Sequence, residues 1–323
     1  MKQALTILSL ILAFTWQSCI HTYPDNNAED PTKVEIAVDL TLNLKWSQLL
    51  SYHPQTRSSD VAHRFIIEIA TQGATPFRHE QIIDSDDFND GFVRIPIPVT
   101  LKPIVYSISA WCDIIDPETS EPLAFDATTL SSITPFFPHE KPSLLEGCGF
   151  ATSSIDLTPY GNKLSTRLII PLELTPPVAR FQFNTTDVNE FLNFADEAIQ
   201  KGETYSVTLS FDSSIPSIFD AAEGEPSGYA NSIEVSSQLP ALFSQEMTIC
   251  SDWIFASKEK KEITLTLTLY NSARMIVSRI QGITIPIERG KTTTVKGDFL
   301  TNFYSNSITV DNLWDDEIII TLD

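Results

Sequence analysis

The sequence predicts an all-β chain of two β-sandwich domains in tandem, with one clear helix in the second. Three observations carry that expectation. Apolar residues alternate with mostly polar ones through Val34, Ile36, Val38, Leu40, Leu42, Leu44 and Trp46, a period of two that no helix reproduces. Short β-rich runs separated by polar turns then recur down the chain, as in sandwiches rather than parallel α/β folds. The pair Pro176-Pro177 interrupts the pattern near the middle; neither proline can donate to a ladder, and together they favour an extended spacer. At 323 residues the chain has room for two cores, since single domains usually run about 100–200 residues.

Ahead of the first strand, Lys2 and the apolar run from Ala4 to Phe14 make a charged start and a short apolar core. About eleven residues of helix reach roughly 16 Å, too short for a bilayer core, so residues 1–18 read as a secretory signal peptide. The cleavage context Trp16-Gln17-Ser18-Cys19 is a relaxed lipobox, since a strict one has an aliphatic residue in place of Trp16 and a small one in place of Gln17. Cys19 is then the lipidated first residue. Several acyl chains on it, palmitate among them, would hold the chain on the bilayer, each buried methylene adding about 0.8 kcal/mol. Residues 19–32 are polar and acidic without periodicity and read as a flexible tether.

In the N-terminal sandwich, residues 33–176, the first strand is followed by Phe65-Ile66-Ile67-Glu68-Ile69, then Phe92-Val93-Arg94-Ile95-Pro96-Ile97, then Val105 to Cys112. Asn89-Asp90-Gly91 is a hairpin signal before Phe92. Residues 113–160 are rich in Pro, Ser, Asp and Thr and predict long loops with short strand pieces; strand character returns from Leu164 to Leu174. The C-terminal sandwich, residues 177–323, opens with the strand Val178 to Phe183. The helix follows, with Thr186 or Asp187 to cap it, Glu190 in the capping-box position and Gly202 to close it. Val188, Phe191, Leu192, Ala195 and Ile199 share one face, which packs on a sheet. Further strands are expected at Tyr205 to Phe211, Ile263 to Leu269, Arg274 to Ile280, Ile283 to Glu288, Ile308 to Val310 and Glu317 to Leu322.

Composition excludes one class of partner. The leader carries Lys2 and no acid, so the remainder holds 20 Lys+Arg against 42 Asp+Glu, a net charge of −22. Such a surface repels nucleic acid, and no basic cluster offsets it locally. Catalytic and metal sites find no support either. His21, His53, His63, His79 and His139 are scattered with no metal-site spacing, and no Gly-rich phosphate loop or nucleophile elbow occurs. Cys112, Cys148 and Cys250 stand apart from one another and read as small buried hydrophobes. The acidic run from Asp84 to Gly91 breaks calcium-loop spacing at Phe88 and reads as a solvated hairpin loop, as does Asp315-Asp316-Glu317. No catalytic residue, no cofactor and no metal ligand is expected. Trp253 and Trp314 could serve a glycan platform, but core packing accounts for both.

The stretch Pro177-Val178-Ala179-Arg180-Phe181-Gln182-Phe183-Asn184-Thr185-Thr186-Asp187-Val188-Asn189-Glu190-Phe191-Leu192 resembles Bacteroidota lipoproteins related to fimbrillins, the pilus subunits and anchor proteins of these bacteria. Ile285-Pro286-Ile287-Glu288-Arg289-Gly290, running into Val295-Lys296-Gly297-Asp298-Phe299-Leu300-Thr301, looks like the close of a fimbrillin-like domain. Tyr106 to Asp113 with Trp111 looks like the matching strand of the first half. The relaxed lipobox ending in Ser18-Cys19 is of the same kind. The resemblance implies two transthyretin-like or Ig-like sandwiches, a surface-structural role and no catalytic residues to transfer. In fimbrillins, cleavage after an arginine removes an N-terminal strand and opens a groove for a neighbour's strand. Here the next arginine is Arg57, a possible processing site.

The expected function is therefore a non-enzymatic outer-membrane lipoprotein, anchored through acylated Cys19 and exposed at the cell surface, serving as anchor or accessory subunit of a fimbria-like assembly. Its partners are the lipid bilayer and other fimbrial subunits, met by strand addition. The alternatives are a surface glycan- or host-ligand-binding lipoprotein, which needs a row of exposed Trp and Tyr, and a secreted hydrolase, which needs a cleft joining a histidine to carboxylates.

Overall fold

The computed structural model describes residues 35–46, 62–83, 92–136, 145, 147–240, 246–302, 308–311 and 317–322. The chain is all-β, in a two-domain sandwich arrangement with one α-helix among the described residues. In the first half, β1 (Ile36–Trp46) lies between β4 (Phe92–Leu101) and β9 (Ser165–Leu174). It runs antiparallel to β4, from Ile36 opposite Leu101 to Lys45 opposite Phe92. It runs parallel to β9, from Ala37 opposite Ser165 to Trp46 opposite Leu174. Facing this sheet is a second, in the order β3 (Phe77–Ile83), β2 (Ala62–Ala70), β5 (Val105–Ile115), β8 (Gly149–Asp156). Period two sends Ile36, Val38, Leu40, Leu42 and Leu44 into the core, where they meet Phe65, Ile67 and Ile69 of β2 and Ile108, Ala110 and Cys112 of β5. Pro96, Pro98 and Pro171 lie on the flanking strands β4 and β9, where a missing ladder donor is tolerated.

In the second half, β10 (Val178–Thr185) sits between β15 (Met247–Phe255) and β18 (Thr292–Gly297), and β20 (Glu317–Leu322) and β19 (Ile308–Asp311) extend that sheet. The opposing sheet runs β14 (Glu234–Gln238), β11 (Tyr205–Phe211), β16 (Lys261–Asn271), β17 (Ile276–Ile287). The helix α1 (Val188–Gln200) buries Val188, Phe191 and Ala195 against the same core. Gly202 ends it at φ +92°, as a helix-closing glycine should.

Four details differ from the sequence reading. Residues 113–160 hold more strand than expected: β5 continues to Ile115, β6 (Phe125–Asp126) pairs with β7 (Thr134–Pro135), and β8 is a full strand. The strands at 274–280 and 283–288 are one, β17. Ile280 and Ile283 both face the core because the register shifts opposite, between Leu265 and Leu267, with Gly282 at φ +71°. A bulge of this kind restores alternation that the sequence spacing breaks. The hairpin of β12 (Ile215–Asp220) and β13 (Glu225–Ala230) was not read from the sequence at all, and neither were the strands β3, β14 and β15.

The fourth concerns the helix start. Asp187 occupies the N-cap position, yet its side chain makes no cap bond. It is 2% exposed and reaches the segment after β18 instead. The Leu300 and Thr301 amides donate to its carboxylate at 3.0 and 2.7 Å, the Thr301 hydroxyl at 2.6 Å and the Thr185 hydroxyl at 2.5 Å. The Thr186 hydroxyl likewise donates to Asp298, at 2.7 Å. The two stretches that carry the fimbrillin resemblance are thus held together here, through the parallel β10–β18 ladder and these bonds.

Candidate functional site

Two places in the molecule could bear on function: the seat of β1 and the junction of the two halves. The seat is a slot closed on three sides. Ladders run along both edges of β1, and its apolar face lies in the core, with Leu40 and Leu42 fully buried. Its other face carries Ala37, Asp39, Thr41, Asn43 and Lys45. Asp39 accepts from Arg167 of β9 at 2.8 Å, an exposed pair of small energetic weight. A strand seated this way cannot leave without splitting its sheet.

The junction begins on the outer face of the sheet that holds β2 and β5. Arg64 donates two hydrogen bonds to Asp113, at 2.9 and 2.7 Å, and the Trp111 indole donates a third at 3.1 Å. Asp113 is fully buried. Burial pushes its carboxyl above the usual range, and the Arg64 fork pulls it back. Arg78 adds a bridge to Glu68 at 2.8 Å and a bond to the Ala127 carbonyl at 2.9 Å. These bonds fix the loop side of the sheet, on which an aromatic cluster forms across the halves. Trp111 packs edge-on to Phe125 at 5.3 Å, Phe150 edge-on to Phe219 at 4.9 Å, and Phe219 stacks on Phe255 at 5.4 Å. Ile133 and Phe219 exchange backbone bonds of 2.8 and 2.9 Å, and Ala221 donates to the Leu130 carbonyl at 2.7 Å.

Arg289 closes the cluster from the β17–β18 turn. Its guanidinium lies 5.0 Å from the Phe150 ring and 5.6 Å from the Phe219 ring, and it donates to the Ala256 and Gly224 carbonyls. Burial pulls its pKa down, and Glu225 opposes that shift. Gly224 stands at φ +70°, and a Cβ there would meet the Phe150 ring at 2.9 Å, so glycine is required on both counts.

The residues singled out from the sequence are not gathered into a reactive site. Cys19 and Arg57 lie outside the described residues, as do the acidic run from 84 to 91, His21, His53, His139 and Trp314. Among the described residues no three His, Cys, Asp or Glu side chains are placed to hold a metal ion. Cys112, Cys148 and Cys250 are buried free thiols, and burial pushes each of them up, away from the thiolate form a nucleophile needs. His63 is buried, and desolvation lowers it to about 4, so it is neutral at physiological pH. Trp253 is buried, as core packing implied, and so is Trp111.

The profile of DUF6562, described as a family of unknown function, matches residues 31–323. The chain belongs to that family. No curated protein matches this DUF6562 chain. Solved structures similar to it include the fimbrial anchor protein Mfa2 from Porphyromonas gingivalis, at 10% identity and TM-score 0.42, covering 88% of this chain and 95% of that one. A fimbrial assembly protein from Parabacteroides distasonis is similar at 10% identity and TM-score 0.39, covering 82% of this chain and 92% of that one.

Proposed function

We propose that this chain is a non-enzymatic lipoprotein of the outer membrane that anchors a fimbria-like assembly or serves it as an accessory subunit. Residues 1–18 are its signal peptide, acylated Cys19 and the tether to residue 32 hold it on the bilayer, and sandwiches of residues 33–176 and 177–323 form the exposed part. The observation that carries the reading is the seat of β1. The strand is the middle member of its sheet and fills the core of its sandwich. A subunit that kept its lipid would have to keep this strand, because the lipid joins the body only through it. Cutting at Arg57 would sever that link, which suits a shaft subunit but not an anchor.

Two measurements on native cells test the proposal. The first is N-terminal identification of the protein from the membrane fraction. A blocked start at Cys19 agrees with the anchor, whereas a start at Ser58 refutes it. The second is Cys19→Ala, which should move the protein out of the membrane fraction; a variant that still pellets with membranes refutes the lipid anchor.

A further inference from the structure

We propose that the junction of the two halves holds a binding site for one small aromatic molecule, of phenol or indole size. A partly open cavity of about 180 Å³ lies there. Its floor is buried and apolar: Phe125 and Leu145 come from the first half, and Val178, Ile215 and Phe255 from the second. Its half-buried rim is formed by Thr134, Ser217, Ala230 and Ile233. The rest of the junction is dense with aromatic contacts, so this unfilled volume is a local exception. An apolar hole forfeits the dispersion contacts that a guest would restore.

Three features select the guest. An apolar cavity of about 150 Å³ stays dry and takes benzene, so this volume suits one ring with a small substituent or a fused ring pair. The walls are themselves aromatic: Phe125 and Phe255 lie 5.8 Å apart with a 33° tilt, and Trp253 lines the same space. They offer the faces and edges that an inserted ring prefers. No lining side chain carries a charge. An ion would therefore be desolvated without a partner, while a phenol hydroxyl or an indole N–H could meet Thr134 or Ser217 at the mouth. The site needs both halves, since neither supplies the whole floor, and ligand sites favour such interfaces.

Fluorine NMR of 4-fluorophenol with the mature chain tests the site. Saturable binding is expected, displaced by phenol and indole but not by benzoate or anilinium-type ions. Ala230→Phe and Ser217→Trp fill the cavity and should each weaken binding by about tenfold or more, while Thr166→Trp on the far sheet should leave it unchanged. If Ala230→Phe loses its cooperative melt, Ser217→Trp decides. Intermolecular NOEs from bound phenol to the Val178 and Ile215 methyls decide independently of either variant. No saturable binding to the native chain, or full binding by a folded filled variant, overturns the proposal.

Discussion

Leu40 is where the seat of β1 can be tested most directly. It is fully buried, opposite Ile97 of β4 on one side and Leu168 of β9 on the other, with the β2–β5 sheet above it. Leu40→Ala removes the transfer free energy of the lost carbons, about 2 kcal/mol. It also leaves a void of roughly 75 Å³ that, at about 24 cal/mol per Å³, adds close to another 2 kcal/mol. Strands on both edges hold the walls apart, so the site collapses poorly and the sum should stay near 4 kcal/mol rather than at the low end of the range. The informative assay separates strand binding from global stability. A site-specific protease sequence replaces residues 54–60, the chain is cut there, and the fragment carrying β1 is followed by gel filtration. The native fragment should co-elute with the body and leave only in denaturant. Leu40→Ala should raise its dissociation constant about a thousandfold, at 1.4 kcal/mol per factor of ten. Release of the native fragment in plain buffer, or a shift below about tenfold for the variant, would refute the argument that β1 is locked in place.

Further expectations concern the polar groups inside. His63 titrates near 6.5 when unfolded and at about 4 when folded, so the unfolded chain binds the extra proton between those values. Stability therefore falls as pH drops through that window, by about 2 kcal/mol at roughly pH 5. Urea midpoints of the native chain and of His63→Gln should converge toward acid, and parallel curves would sink the idea. Asp187→Ala strands the Leu300 and Thr301 amides and should cost about 2–4 kcal/mol, with faster hydrogen exchange at those two amides. Unchanged exchange there would count against the clamp. Asp113→Ala leaves Arg64 without its buried partner and should cost about 3–5 kcal/mol by denaturant melt; a loss under about 1 kcal/mol would contradict it.

How far the sequence could be read depended on whether a signal was local. The alternation of Ile36 to Leu44 is local, and so is the apolar stripe of α1, and both appear as read. The junction is not local. Trp111, Phe125, Phe219 and Phe255 are far apart in the chain, and nothing in their spacing says that they meet. One trace was present: Phe65-Ile66-Ile67 breaks alternation, because Phe65 and Ile67 face the sandwich core while Ile66 faces the junction. A strand covered on both sides reads as a continuous apolar run. The start of α1 misled for the opposite reason. Thr186 and Asp187 satisfy the local grammar of a cap, but their side chains serve a segment more than a hundred residues away. The cavity had no signal at all, since a void belongs to the assembled fold and to no stretch of it.

The parallel pairing of β1 with β9 also has a mechanical meaning. With the anchor proposed at Cys19, a pull from the membrane would enter at the start of β1, and β9 would hand the load from its far end to β10 and the second half. Forces at opposite ends of two parallel neighbours load the ladder in shear. The pairs from Ala37 to Trp46 then resist together, where an antiparallel hairpin pulled from its open end would unzip one pair at a time. The first arrangement would suit the tethered role proposed above better than the second.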